Sequence, residues 1–290
     1  WTSRLLGARR NFSSTGDDRC ELGLGQGTAM TAQRRLESSL TALNNPELLN
    51  RLSLDLEGES AQTILEWAAT TLSPRVTFGT GFGLEGCVLI DLIARHDLAI
   101  DIFTLDTGLF FRETYQLWSD LEKRYGVVIR GVRSELSVED QSRELGDKLW
   151  EHQSAKCCEI RKVIPLQKEL KTFSGWVSAI RRDQSPTRAG APILSYDERF
   201  DLVKVNPLVA WTKEDVWSYA RKNDVPFNPL HLQGYPSIGC LPCTSEVRPG
   251  EDDRAGRWRG SNKTECGIHA APKKQKALPV LNRQVSEGGS

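Results

Sequence analysis

Hydrophobic and polar positions follow two periods along this chain, and the two alternate. Residues 75–79 and 100–105 (RVTFG and IDIFTL) have the pattern of buried strands, and each precedes a stretch with helical spacing, at 84–95 and 112–125. Such alternation is typical of βαβ units, so we predict an α/β fold with a doubly wound, mostly parallel sheet. Further strands are predicted at 127–132, 175–180 and 202–206, and further helices at 158–170 and 213–222, the last with Thr212 as its N-cap.

The regions on either side of these units have a different pattern. Residues 30–72 have leucines at helical spacing, and we expect the domain to start at Met30 and to extend over 30–271. Residues 1–29 are rich in Gly, Arg and Ser without periodicity, so we interpret them as an extension outside the domain. A transit peptide is the alternative, and the acidic residues there count against it. Residues 272–290 are polar and basic, and we predict a flexible tail.

Charge and hydropathy exclude several classes of partner. Lys and Arg number 38, as do Asp and Glu, so the formal net charge is zero. We therefore expect no nucleic acid and no acidic membrane as partner, although a small anionic ligand is compatible with local charge. The longest apolar run, residues 87–94, contains Asp91 and is too short to span a membrane.

The cysteines form the most informative pattern. There are seven, which excludes a complete disulfide framework. An adjacent pair, a CxxC pair and a cysteine before a glycine indicate a metal site plus a reactive thiol in a reducing compartment such as the cytoplasm. The seven are Cys20, Cys87, Cys157, Cys158, Cys240, Cys243 and Cys266.

Four of these cysteines are candidate metal ligands. The spacing of Cys240 and Cys243 lets two sulfurs face one metal centre, whereas the adjacent Cys157 and Cys158 reach two corners of an iron–sulfide cube more easily than one ion. Four thiolates match the usual ligands of a [4Fe-4S] cluster. The alternatives are an all-cysteine zinc site, which normally uses two CxxC pairs, or buried cysteines without a metal.

Cys266 is a candidate nucleophile. Gly267 gives it access and backbone freedom, and His269, Arg257 and other nearby cations are placed to stabilise a thiolate. The alternative is an unreactive surface thiol.

Three loops that follow predicted strands are candidate anion sites, because the carboxyl ends of parallel strands share one edge of a sheet. The first is glycine-rich, residues 79–83, and a tight turn alone would also require its glycines. The second, residues 105–108, suits ligand contact or simple helix capping. The third has adjacent arginines, Arg181 and Arg182, which suit phosphate or sulfate unless the loop is merely solvated.

These motifs together resemble the iron–sulfur subgroup of the assimilatory adenylyl-sulfate (APS) reductases, in the wider phosphoadenylyl-sulfate (PAPS) reductase family. The resemblance covers roughly residues 65–269. Its motifs are TGFGLEG at 80–86, LDTG at 105–108, FRETYQL at 111–117, KCCEIRKVIPL at 156–166, RRDQSPTRA at 181–189, VNPLVAWTKEDVW at 205–217, YPSIGCLPCT at 235–244, EDDRAGRW at 251–258 and ECGIH at 265–269.

The resemblance implies an adenine-nucleotide α-hydrolase-like fold and reduction of APS to sulfite and AMP, in sulfate assimilation and cysteine biosynthesis. It implies a [4Fe-4S] cluster on Cys157, Cys158, Cys240 and Cys243, with Cys266 as nucleophile. An external dithiol such as thioredoxin or glutaredoxin is the expected donor, and a homo-oligomer is compatible with the family. The implied substrate-binding residues are Gly81, Phe82, Gly83, Glu85, Leu105, Asp106, Thr107, Gly108, Lys162, Arg181, Arg182, Arg254, Arg257 and His269.

The sequence departs from the family pattern in its first loop, and other functions are alternatives. Gly81 and Gly86 stand where the family more often has Ser and Asp, which puts the contact at that loop in question. The alternative functions are PAPS reduction, alone or together with APS reduction, and a zinc-stabilised nucleotide-binding protein without catalysis. A thiolation enzyme of the ATP pyrophosphatase type is disfavoured because the SGGxDS-like loop is missing.

Overall fold

A six-stranded sheet lies at the centre of the described part of the chain, which is residues 43–261, 263 and 265–269 of a computed structural model. The strand order is β3-β2-β1-β4-β6-β5, and all neighbours are parallel except β5 and β6, which are antiparallel. The predicted mostly parallel α/β sheet is therefore confirmed. The strands are β1 Val76–Thr80, β2 Asp101–Asp106, β3 Ile129–Arg133, β4 Gly175–Val177, β5 Leu194–Asp197 and β6 Leu202–Val205.

Helices connect the strands, and several begin at side-chain caps. Thr212 is the N-cap of α9, as predicted, and it also forms a capping box with Asp215. Asn45 and Ser60 accept hydrogen bonds from the first turns of α1 and α2. The helices are α1 Pro46–Asp55, α2 Ala61–Thr71, α3 Leu84–Arg95, α4 Arg112–Tyr125, α5 Val138–Leu145, α6 Leu149–His152, α7 Ser154–Cys158, α8 Ile164–Leu170 and α9 Lys213–Lys222.

Both faces of the sheet are covered by packed side chains. Successive strand residues point to opposite faces, so Ile102 and Val177 join the larger core, while Phe103 and Trp176 join a second core beneath α8. This double covering accounts for the nearly continuous apolar character of β1, β2 and β4. It also leaves the carboxyl ends of the central strands as the open edge of the sheet.

The helix predicted over residues 158–170 is interrupted. The chain leaves α7, passes through a π-helical turn at Glu159–Val163 and continues as α8. Pro165 supplies the reason: it has no N–H, so the Arg161 carbonyl has no α-helical partner, and the preceding turn widens. This π turn carries Lys162.

Other differences concern short elements. Strand β5 was not predicted, nor were α5 and α6. Within residues 43–72 the predicted helical run is two helices, separated near Gly58 with φ +88°. The predicted extension at 1–29, the start of the domain at Met30 and the tail at 272–290 lie outside the described residues. None of the helices described here is long and apolar enough to cross a membrane.

Candidate active site

A cleft lies where the connections diverge at the carboxyl ends of β1 and β4. Strand β1 is followed in sequence by β2 on one side, whereas β4 lies on its other side, which makes this a topological switch point. Two adjoining cavities, of about 200 and 460 Å3, occupy the cleft. The two cavities share six residues, Gly81, Arg188, Ile238, Arg254, Arg257 and His269.

The loop after β1 forms one wall of the larger cavity. Gly81, Gly83 and Glu85 line it, and a side chain added at Gly81 would meet no atom within 4 Å. Phe82 behaves differently, because its ring is buried and stacks on Trp118 at 5.7 Å. The phenyl ring of Phe82 is therefore part of the core, while the glycines on either side face the cleft.

The four residues of the LDTG loop, 105–108, have different surroundings. Leu105 lines the smaller cavity. The Asp106 carboxylate is buried, which by itself raises its pKa, but hydrogen bonds from Tyr115 and from the Gly108 N–H, at 2.8 and 3.0 Å, together with Arg133 bring the pKa below its usual value. Asp106 and Gly108 thus close the loop, with Gly108 at φ +70°. Asp106, Thr107 and Gly108 line neither cavity.

The cysteines assigned to a cluster lie together beside the smaller cavity. Cys157 and Cys158 end α7, while Cys240 precedes and Cys243 ends a short 3-10 turn at Leu241–Cys243. All four are free thiols. Burial raises the pKa of Cys157, and so do Cys158 and Cys240; burial and the other three cysteines raise the pKa of Cys243 to about 11. Cys157 and Cys243 are thus each within electrostatic reach of Cys158 and Cys240.

The chemistry of these four thiols determines which metal groups they could bind. In the part of the chain that the structure describes, no three His, Cys, Asp or Glu side chains are grouped tightly enough to hold one ion. A zinc ion takes its sulfurs at about 2.3 Å from one point. A [4Fe-4S] cube instead takes one thiolate at each of four separate corners. The donor set of four cysteine thiols matches the ligands of a [4Fe-4S] cluster and also those of an all-cysteine zinc site.

Lys162 connects the cysteine group with the cavity. It lines the smaller cavity, and although burial lowers its pKa, the thiols of Cys240, Cys266 and Cys158 raise it further than burial lowers it. The effect is mutual: burial raises the pKa of Cys240, but Lys162 and the Thr107 hydroxyl, whose oxygen lies 3.4 Å from the Cys240 sulfur, lower it overall. Lys162 therefore remains a cation placed between both kinds of thiol.

Arg181 and Arg182 are adjacent in sequence, but their side chains lie in different parts of the structure. The backbone at Arg181 is extended, so successive side chains point in opposite directions. Arg181 lines the larger cavity, where its Nε donates to Glu85 at 2.9 Å. Arg182 instead pairs with Glu57 and donates to the Ala191 carbonyl at 2.9 Å, so the structure does not bring it to the cleft.

The arginines around both cavities include one that had no assigned role. Arg254 and Arg257 line both cavities as the sequence suggested, and Arg188 joins them. Arg188 binds both oxygens of Glu265, at 3.1 and 3.0 Å, and Arg254 reaches the same carboxylate at 3.2 Å. Arg188 stands within the RRDQSPTRA motif, so the motif carried the signal although the assignment stopped at its first two residues.

Cys266 lies in the smaller cavity on the segment that Glu265 anchors. Its thiol is free and partly exposed, and Lys162, Arg254 and Arg257 line the same cavity. A thiol surrounded by fixed cations in a small concave site is suited to attack an anionic substrate.

His269 closes the end of the cavity. Its imidazole lies parallel to the Trp176 ring, with the ring centroids 5.5 Å apart. Burial first, then the nearby cations Lys204 and Arg188, bring the pKa of His269 well below its ordinary value, so the ring is neutral. A neutral ring accepts at Nδ1 from the Lys204 ammonium, 3.4 Å away. Trp176, which lines the smaller cavity, and Lys204, which lies beside His269, were not predicted, because a residue within a strand gives no sequence signal for a site.

The sequence of this chain matches a known family of proteins. Residues 75–246 match the model of the phosphoadenosine phosphosulfate reductase domain. The chain is 47% identical over 212 residues to adenosine 5'-phosphosulfate reductase 1 of Bacillus subtilis, covering 73% of this chain and 91% of that protein. It is 45% identical over 230 residues to adenosine 5'-phosphosulfate reductase of Staphylococcus epidermidis, covering 79% and 95%.

A solved structure agrees with these sequence matches. The crystal structure of phosphoadenylyl-sulfate reductase from Candida auris, in a phosphate complex, aligns with a TM-score of 0.63 at 29% identity, covering 70% of this chain and 98% of that one. The expected adenine-nucleotide α-hydrolase-like fold is therefore confirmed. The chain belongs to the phosphoadenosine phosphosulfate reductase family, and these relatives from Bacillus subtilis and Staphylococcus epidermidis are named adenosine 5'-phosphosulfate reductases.

Proposed function

We propose that this chain reduces adenylyl sulfate to sulfite and AMP with an external thiol as donor, in sulfate assimilation and cysteine biosynthesis. The observation that carries the proposal is the free thiol of Cys266, which shares a small cavity with Lys162, Arg254 and Arg257. The cavity lies at the switch point of a fold whose relatives carry the name of this activity.

In the first half-reaction, the Cys266 thiolate attacks the sulfur of bound adenylyl sulfate. An S–S bond forms, the S–O bond to the phosphate breaks, and AMP leaves with the bonding electron pair. Lys162, Arg254 and Arg257 are placed to neutralise the sulfate and phosphate oxygens as the negative charge shifts to AMP. Cys266 then carries the sulfonate as S-sulfocysteine.

In the second half-reaction, one thiol of a dithiol donor attacks the Cys266 sulfur and displaces sulfite, which takes the electron pair. The second thiol of the donor resolves the mixed disulfide, so the donor is oxidised to a disulfide and Cys266 returns to the thiol. Both electrons come from the donor, for which we propose thioredoxin or glutaredoxin. Because the described cysteines are free thiols, we place the protein in a reducing compartment such as the cytoplasm.

We extend the proposal to a [4Fe-4S] cluster held by Cys157, Cys158, Cys240 and Cys243, since four thiolates are its usual ligands and these thiols influence one another's pKa. When bound, the cluster supplies charge and rigidity beside the cavity rather than electrons. The pKa of Lys162 is raised by the thiols of both Cys240 and Cys266, so its charge would link the cluster site to the surroundings of the nucleophile.

The experiment that tests the activity is anaerobic sulfite release with thioredoxin, using adenylyl sulfate and its 3'-phosphorylated form in parallel. We expect sulfite from adenylyl sulfate with the wild type and none with Cys266→Ser. Release from the 3'-phosphorylated nucleotide alone would identify a PAPS reductase, and release from neither would reject both reductase activities.

A further inference from the structure

Residues 265–269, the terminal segment, are held at two separate places. At one end, Glu265 pairs with arginines of the cleft. At the other end, residues 267–269 contact the hairpin formed by β5 and β6, residues 194–205, which we call the edge hairpin. The contacts are with Arg199 in its turn and with Lys204 in β6. Cys266 stands between the two attachments, so its position depends on both.

Arg199, in the turn of the edge hairpin, makes the main-chain part of this attachment. Its Nη1 donates to the Gly267 carbonyl at 3.1 Å and its Nη2 donates to the Ile268 carbonyl at 2.9 Å. The guanidinium therefore grips two successive peptide groups directly after the nucleophile. Bonds to main-chain carbonyls fix the path of the chain whatever side chains it carries.

The guanidinium is itself oriented before it meets the segment. Asp197 accepts from Nε at 2.9 Å and from Nη2 at 2.7 Å, and the Phe200 ring lies 4.8 Å from the guanidinium carbon. This two-point ion pair fixes the plane of the Arg199 guanidinium group. Asp197 and Arg199 are largely buried, so water competes weakly for these bonds.

The same hairpin also receives the end of the segment. Phe200 packs edge-on against Trp176 with ring centroids 5.7 Å apart, and His269 stacks on Trp176 at 5.5 Å. Ile268 packs on the second core. Phe200 and Trp176 thus form an apolar surface beside the segment. The hydrogen bonds that Arg199 donates to the Gly267 and Ile268 carbonyls are called the clasp below.

We propose that Arg199 is a positioning residue that docks the terminal segment so that the Cys266 thiol faces the bound substrate. This inference rests on the proposed function of Cys266. Arg199 lines neither cavity, so it acts through the main chain that carries the nucleophile.

Docking has opposite consequences for the two half-reactions. Attack on the substrate requires Cys266 inside the cavity, and the clasp favours that state. Cys266 lines the smaller cavity, so we expect a protein dithiol to reach S-sulfocysteine more readily once the segment is released from the hairpin. Loss of the clasp therefore slows the first half-reaction and leaves the second equally fast or faster.

The test follows each half-reaction of Arg199→Ala in the full-length, iron-loaded protein. Adduct formation is followed by quenched single-turnover mass analysis at saturating adenylyl sulfate, and release of sulfite from the preformed adduct is followed with thioredoxin. Losing two charge-assisted hydrogen bonds should slow adduct formation about tenfold. Arg199→Lys, which keeps the charge but cannot span both carbonyls, should lie between wild type and Arg199→Ala.

Arg124→Ala provides a matched control. Arg124 also pairs with an aspartate, Asp224, and donates to a main-chain carbonyl, that of Asn223, but at the surface and away from the terminal segment. We expect both half-reactions to be unchanged in this variant. Equal adduct rates in Arg199→Ala and wild type, or equal slowing of both half-reactions, would overturn the role of Arg199.

Alkylation of Cys266 by iodoacetamide, read by peptide mass, separates this inference from the proposed function. A released segment should expose the thiol, so Arg199→Ala should be labelled about tenfold faster than wild type without any nucleotide. Faster labelling in a protein that forms no adduct would reject the reductase chemistry and keep the clasp. Unchanged labelling with normal adduct formation would do the reverse.

Discussion

Lys204 is buried beneath the terminal segment, and replacing it with methionine should stabilise the protein near pH 7. The side chain is among the buried residues of the chain, its ammonium lies 5.1 Å from the Trp176 ring centroid, and His269 is its neighbour at 3.4 Å. Burial lowers the pKa of Lys204 to about 8, Asp197 opposes this effect, and Arg199 adds to it. Keeping Lys204 charged in the native state therefore lowers the free energy of unfolding.

The size of that cost follows from the difference between the folded and unfolded pKa. A fall from 10.5 to about 8 corresponds to about 3 kcal/mol at pH values below both, because each unit contributes about 1.4 kcal/mol. Between these two values the unfolded chain binds the extra proton, so the stability of the wild type rises with pH in that window. Methionine fills the same space without a charge and should remove the cost and the slope together.

The assay is urea denaturation of wild type and Lys204→Met at the same iron content, at pH 7, 8, 9 and 10. The variant should be more stable at pH 7, and its advantage should shrink steadily from pH 8 upwards. Lys168→Met is the control, since Lys168 is exposed and pairs with Glu135 at the surface. A variant that is no more stable than wild type at pH 7, or an advantage independent of pH, would refute the buried-charge argument.

Two further predictions concern the cluster and the first loop. Cys157→Ser should lose iron and the brown colour, whereas Cys266→Ser should keep both and lose sulfite release; equal iron contents by metal analysis would contradict the division of roles. Gly81→Ser should leave the melting temperature nearly unchanged, because nothing lies within 4 Å of the added carbon, whereas Gly86→Asp should lower it clearly, because the carbon would lie 2.7 Å from the Thr80 hydroxyl. Equal melting temperatures in the two variants would contradict the packing around Gly86.

Most of the fold was predictable because local patterns and tertiary packing agree. Leu84–Arg95, Arg112–Tyr125 and Lys213–Lys222 begin and end as predicted, since their apolar faces and caps mark both limits. The interrupted helix at Glu159–Val163 was not predicted, although Pro165 was visible, because a π turn depends on how the flanking helices pack. Strand β5 is an edge strand of four residues, and its pairing with β6 is a tertiary fact.

The candidate site was predictable where a motif concentrates unusual chemistry. The cysteines and the arginines at 254 and 257 gave such signals, and the structure brings Cys266, Arg254 and Arg257 to one cavity. Arg182 could not be separated from Arg181 by sequence, since only the extended backbone sends their side chains in opposite directions. Arg199 gave no signal, because a charged residue in a turn is ordinarily solvated, and its partners are main-chain carbonyls 68 and 69 residues away.

The central claim is that Cys266 takes the sulfonate group directly from the nucleotide. The most direct measurement is the mass of the intact protein after incubation with adenylyl sulfate and no reductant. The account predicts that the wild type gains the mass of one sulfonate group at Cys266, that thioredoxin removes it as sulfite, and that Cys266→Ser gains nothing. Sulfite production by the wild type without that adduct, or an adduct that persists in Cys266→Ser, would contradict it.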